Sequence, residues 1–227
     1  PVPYSGQYCN DSYYSTPPDG HGATDPNSHC GAWAADVYYG VIGGDWTDED
    51  SITIAKRDEN DNLIGDGKFD NMRIPGEVTI AVGRVDFSHM PKLTESEIAL
   101  TKRYLDKVHD FKVGLTQVKK EGVIQNNFPG LNEGFSSGAI RDFHAILGKD
   151  KVKTTTTFIE DTEGKNYLLG FACAGGDGYD SMNSITSTRV FNDKSPAAFN
   201  QFFGSFFGDF DSDNNLLRAS ISTKKMG

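Results

Sequence analysis

The sequence predicts an α/β fold: a mainly parallel sheet flanked by helices, behind an irregular N-terminal lead-in. Two continuous apolar runs, Val78-Thr79-Ile80-Ala81-Val82 and Tyr167-Leu168-Leu169-Gly170-Phe171-Ala172-Cys173, have the composition of strands buried on both faces, which do not alternate. Two segments of helical period, 94–109 and 138–147, fall between them. Strands that alternate with helices pack as a parallel sheet covered on both sides. Residues 1–35 lack any period and are crowded with Pro, Gly, Asn, Asp, Ser and Tyr. They form the lead-in, and residues 36–227 a single α/β domain.

Within that domain, Asp36-Val37-Tyr38-Tyr39 reads as a short aromatic strand. Residues 43–71 form an acidic loop too long for a simple connector. The strand over Val78–Val82 ends at Gly83-Arg84. Thr94-Glu95-Ser96-Glu97 has the form of a capping box, in which hydroxyl and carboxylate satisfy each other's exposed amides. The helix it opens runs to about His109, with Ile98, Leu105 and Val108 as its apolar stripe, broadened by Tyr104 and Phe111. In the second helix Ile140, Phe143 and Leu147 recur at helical spacing before Gly148. The strand Tyr167–Cys173 follows, then an apolar run over 198–204 and a helix near Asn214–Ile221.

Of the 227 residues, 22 are Lys or Arg and 32 are Asp or Glu, a formal net charge of −10. Aromatic residues make up 11% and no basic patch accompanies them, which argues against both disorder and nucleic-acid binding. No window approaches the ~18 consecutive apolar residues of a membrane helix. The chain opens on Pro1, which reads as a piece of a longer polypeptide. Cys9 and Cys30 bracket a loop-like stretch and read as a disulfide, leaving Cys173 free. Together with the acidic charge and Tyr/Asn/Gly-rich loops, that pairing leans toward an extracellular or cell-surface setting.

Ligands of an open α/β sheet gather beyond the carboxyl ends of its strands. Three loops qualify, carrying Arg84, then Gly175, Gly176 and Asp177, then Ser205 and Asp209. Cys173, where a strand meets a glycine-rich loop, is either a nucleophile activated by histidine or a buried apolar cysteine. His21 and His29 lie in the lead-in, where a fold could bring one to Cys173 as its base. His144 belongs to the edge of the core, and His89 and His109 to the surface. The acidic loop holds Asp45, Asp48, Asp50, Asp58, Asp61, Asp66 and Asp70 among Asn and Gly. Such oxygen-rich loops suit calcium, with Asp45, Asp66 and Asp70 as first candidates; the alternative is a solvated acidic loop.

In order, Asp36-Val37-Tyr38-Tyr39-Gly40, Gly44-Asp45-Trp46 and Glu77-Val78-Thr79-Ile80-Ala81-Val82-Gly83-Arg84-Val85 with its capped helix resemble the gingipain-like cysteine peptidase family. The resemblance covers residues 34–112 by motif and 135–222 by layout. It implies secretion, a caspase-like fold and calcium in the acidic loops. The family's catalytic histidine follows a strand as Tyr-x-Gly-His-Gly, but the corresponding strand here ends Phe171-Ala172-Cys173-Ala174-Gly175. Its catalytic cysteine follows the next strand, where this chain has Gly204-Ser205-Phe206-Phe207. Neither member of the dyad carries over. The expectation is therefore a calcium-binding, peptidase-like module with a lost or rebuilt centre, presenting Asp177, Tyr179, Phe206 and Phe210 to a protein or glycan. The alternative is a hydrolase with Cys173 as nucleophile, His21 as base and the Gly175 and Gly176 amides as oxyanion donors.

Overall fold

The computed structural model describes residues 3–6, 31–53, 55, 57–128, 134–176 and 178–227. The chain forms two compact units, Pro1–Arg84 and Val85–Gly227. The sequence predicts a division at residue 35; the structure draws the acidic loop and the segment up to Arg84 into one unit with the residues before them. Cys9, Cys30, His21, His29 and Asp177 lie outside the described residues.

In the first unit β1 (Tyr4–Ser5) pairs antiparallel with β2 (Trp33–Ala34). Gly6 donates its amide to the Phe69 carbonyl at 3.0 Å and Phe69 donates to Tyr4 at 3.0 Å, so the far end of the acidic loop returns to the same ribbon. Asp36–Gly40 is a 3₁₀ turn rather than the expected strand. Its side chains explain why: Asp36 is held by the Arg84 guanidinium through two bonds of 2.7 Å, and the Tyr38 ring stacks on Phe69 at 5.1 Å. Val78–Val82 is not a strand either. Thr79 and Ile80 both donate to the single carbonyl of Gly40, and Val78, Ile80 and Val82 remain 49%, 46% and 42% exposed. β-branched composition favours extended backbone, but a strand also needs a ladder, and no described neighbour supplies one.

The second unit holds β3 (Lys119–Asn126), α2 (Phe135–Leu147), β4 (Val152–Thr155), α3 (Phe158–Thr162), β5 (Tyr167–Cys173) and β8 (Phe199–Phe203). Before these runs α1 (Glu97–Lys112); after β5 comes a hairpin of β6 (Ser181–Met182) and β7 (Thr186–Ser187), and after β8 the short helix α4 (Leu216–Ser220). The four long strands form one parallel sheet in the order β4-β3-β5-β8. The architecture is thus α/β with helices flanking a parallel sheet, as the pattern predicts. β3 and β4 were not foreseen, and β3 pairs with both β4 and β5 while β8 is added on β5.

Alternation along the strands divides the core. Ile124, Phe171 and Cys173 pack with Ala139 and Phe143 of α2 on one face. Val123 and Ala172 meet Phe158, Ile159, Leu100 and Leu216 on the other. α2 can approach because Gly122 has no side chain: a Cβ there would lie 2.8 Å from the Phe143 ring. Gln125 is 2% exposed yet fully used, its Oε1 accepting from the Phe158 amide at 2.7 Å and its Nε2 donating to Thr156 O at 3.1 Å and Asn127 Oδ1 at 3.0 Å.

α1 starts at Glu97, capped by Ser96, whose Oγ accepts from the Ala99 amide at 3.3 Å. The expected cap, Thr94, gives both its amide and hydroxyl to Asn192 Oδ1. The expected stripe holds in part: Tyr104 packs on the core and Val108 and Phe111 are half-buried, but Ile98 and Leu105 are 82% and 58% exposed while Leu100 is buried. The inward face instead carries Arg103, which donates to Ser222 O at 3.0 and 2.6 Å, and Lys107, which reaches Ile221 O at 2.9 Å. Two cations that read as a solvent face are thereby satisfied by main-chain oxygens.

Replacing Gln125 by Leu keeps the volume but leaves the Phe158 amide and Thr156 carbonyl without partners. An unsatisfied buried group costs about 1–3 kcal/mol, and Gln125→Leu is expected to lose stability in that range or above it in urea unfolding.

Candidate functional site

β4, which follows β3 in the chain, lies on one side of it, and β5 and β8 lie on the other. The direction of winding therefore reverses at β3, and the crevice outside the carboxyl ends of β3 and β5 is where such a sheet receives ligands. Asn126 and Cys173, the last residues of those strands, are register partners. The Asn127 amide extends the ladder to the Cys173 carbonyl at 2.8 Å.

Cys173 has 0% exposure and is a free cysteine. Its Sγ–H donates to Asn126 Oδ1 at 3.2 Å, an oxygen that also accepts the Phe128 amide. Burial pushes the thiol pKa above its ordinary value, against the smaller opposing pull of the Asn127 and Ser136 amides. No imidazole among the described residues is hydrogen-bonded to the sulfur. As arranged, Cys173 is a neutral donor packed beneath α2, which is the buried-cysteine alternative rather than an activated nucleophile.

Beside it opens a polar cavity of about 560 Å³, lined by Asn126, Ser136, Ile140, the Thr154–Thr157 run and Asp161. Asp161 organises one wall: its carboxylate accepts from Lys153 at 2.7 Å, Lys165 at 3.2 Å, Thr157 at 3.2 Å and Thr155. The lysines and hydroxyls, Lys153 first, hold its pKa far below the usual carboxylate range. These residues were not foreseen. The signal available was a run of four threonines after Val152, and a pair of asparagines after Val123-Ile124-Gln125.

The residues expected to line the crevice divide into those the fold brings together and those it does not. Gly175 accepts the Asn183 amide at 2.9 Å. Gly176 lies against the Ser205 backbone so closely that a Cβ would sit 2.1 Å from the Ser205 carbonyl oxygen. The loops after β5 and β8 therefore touch, and Tyr179 meets Phe206 edge to face at 5.6 Å. Asp209 is buried at 1% exposure, and its carbonyl receives Asn215 Nδ2 at 3.1 Å. The Asn215 side chain also caps α4 by accepting from the Leu217 and Arg218 amides, so this loop is braced from within. Arg84, expected at a strand end, closes the first unit and is occupied by Asp36.

The acidic loop is ordered by its own carboxylates. Asp48 accepts the Gly65 and Gly67 amides at 2.8 Å each, and Asp66 those of Leu63 and Lys68. Asp70 takes the Asp50 amide at 3.0 Å and Asn62 Nδ2 at 2.7 Å, while Lys68 lies 3.6 Å from Asp66. Asp45, Asp66 and Asp70 do not converge, and no group of three or more His, Cys, Asp or Glu among the described residues could hold a metal. Calcium takes six to eight oxygens, which here would have to include Asn and main-chain oxygens beside these carboxylates.

The chain matches no family model, no curated protein and no solved structure.

The Gly176–Ser205 approach gives a direct test of whether the two loops close the crevice together. Gly176→Ala must push them apart, and overpacking of this kind costs about 1–3 kcal/mol, read as a lowered Tm. Gly175→Ala, with open space around its Cβ position, is expected to leave Tm nearly unchanged.

Proposed function

We propose that the second unit is a caspase-like domain on a gingipain-type scaffold that binds rather than cleaves, taking a polar segment of a protein or glycan at the ends of β3, β4 and β5 in an extracellular setting. The observation that carries this reading is the state of Cys173: wholly buried, hydrogen-bonded to an amide oxygen, and raised rather than lowered in pKa. A nucleophilic thiol needs exposure and a neighbour that favours the thiolate. The adjoining cavity is of ligand size and offers hydroxyl, amide and carboxylate groups, the donors and acceptors that a neutral polar ligand uses.

One observation favours the rival reading. The amides of Asn127 and Ser136 face the sulfur and would stabilise a thiolate once it formed. A hydrolase would then use Cys173 as nucleophile with a lead-in histidine such as His21 as base.

Iodoacetamide labelling of the folded chain against pH, read at Cys173 by peptide mapping, separates the two. The binding reading expects slow labelling at neutral pH that becomes fast on unfolding. Rapid labelling of the native protein, with an apparent pKa below the ~8.5 of free cysteine, would contradict the binding reading and support the hydrolase instead.

A further inference from the structure

Away from the crevice, a cavity of about 550 Å³ lies between α1, the start of β8 and the segment after α4, all within the second unit. Its walls are of two kinds. Val108, Phe111, Phe199, Ile221 and Met226 supply apolar surface, with the Phe111 and Phe199 rings meeting edge to face at 5.3 Å. The charged residues lining it are Lys107, Lys112 and Lys225, and no Asp or Glu is among them. In a chain of net charge −10 that is a local reversal of sign.

None of the three lysines forms an ion pair with a carboxylate among the described residues. Lys107 is half-buried, and its Nζ donates to backbone and hydroxyl oxygens: Ile221 O at 2.9 Å, Gly227 O at 3.1 Å, Met226 O at 3.2 Å and Thr223 Oγ1 at 3.4 Å. Burial, followed by the neighbouring Arg103 guanidinium, pulls its pKa down to about 7. These oxygens meet the hydrogen bonds of Lys107, and no Asp or Glu side chain lining the pocket adds a carboxylate beside it. Lys112 and Lys225 are exposed at the surface around it. Phe199 is 52% exposed, an apolar ring left open to solvent.

We infer that this cavity is a binding site for a small amphipathic anion, an aliphatic or aromatic carboxylate whose apolar body lies against Phe111, Phe199 and Met226 and whose carboxylate faces the lysines. Size places it in the 300–1,000 Å³ range of small-molecule sites. Sign sets the headgroup, since three lysines with no Asp or Glu beside them in the lining favour an anion and repel a cation. The inference does not depend on what the strand-end crevice binds.

Calorimetric titration of the full chain with decanoate tests it, with decanol and decyltrimethylammonium as probes of equal apolar length and different charge. One saturable decanoate site is expected, with decanol binding at least tenfold more weakly and decyltrimethylammonium weaker still. Lys112→Glu/Lys225→Glu, which changes only exposed side chains, is expected to weaken decanoate at least tenfold; Lys107→Met is expected to do the same if it folds. Phe199→Ala is expected to weaken decanoate and decanol together. Absence of saturable decanoate binding, binding of decyltrimethylammonium as tight as that of decanoate, or an unchanged affinity in the Lys112/Lys225 variant would each overturn the assignment.

Discussion

β3 is paired with β4 on one edge and β5 on the other, and the side chain of Gln125 joins the end of that strand to the turn between β4 and α3. Remove the pairing and the unit loses both layers of core, because Val123 and Ile124 project into opposite ones. Remove the amide and the carboxyl ends of β3 and β4 are no longer held in register with the start of α3. The crevice exists because this one strand has a parallel neighbour on each side and the winding turns back across it. Everything at its mouth, from Asn126 to the threonines and Asp161, inherits its position from that pairing.

The same strand accounts for the burial of Cys173. Its sulfur lies at the last rung of the β3–β5 ladder, beneath α2, and its hydrogen goes to the Asn126 side chain. In that position a thiol contributes packing and a weak hydrogen bond, and the cost of placing a charge there exceeds what two backbone amides return. Electrostatics in the first unit follow a related logic. Asp66 bonds the amides of its own turn, the local side-chain-to-backbone bonding for which Asp is suited, while Asp48 and Asp70 bond amides far away in the sequence, so an acidic loop is ordered from within.

What could be read from the sequence was governed by how apolar each element is. Tyr167–Cys173 and the helix over 138–147 were legible because most of their buried positions are hydrophobic, the 198–204 run because it is apolar in composition though half-exposed, and all three fall where expected. β3 was not, because it opens Lys119-Lys120-Glu121-Gly122 and buries a glutamine, and β4 was not, because only Val152 in it is apolar. Polar residues that are buried and fully hydrogen-bonded leave no periodic trace. α1 was located but its inner face was legible only at Tyr104, Val108 and Phe111, for the same reason: Arg103 and Lys107 turn inward to main-chain oxygens while Ile98 and Leu105 face out. Val78–Val82 is the converse, a strand composition without a described partner strand. At the site, Cys173, Gly175, Gly176 and Ser205 were legible as strand-end residues, whereas Asn126, Ser136 and Asp161 come together only through the β4-β3-β5 order, which no local pattern encodes.

The central claim is that Cys173 is a structural part of the β3–β5 junction, reached by reagent only when that junction comes apart. The most direct test is the rate of Cys173 alkylation at fixed pH across a series of sub-denaturing urea concentrations, compared with the global unfolding curve of the same protein. If the claim holds, the free energy of exposure from labelling will equal the unfolding free energy and fall with urea at the same slope, the mark of opening through global unfolding. Labelling that is fast in the absence of urea and insensitive to it would contradict the account, placing a reachable thiol in a native crevice.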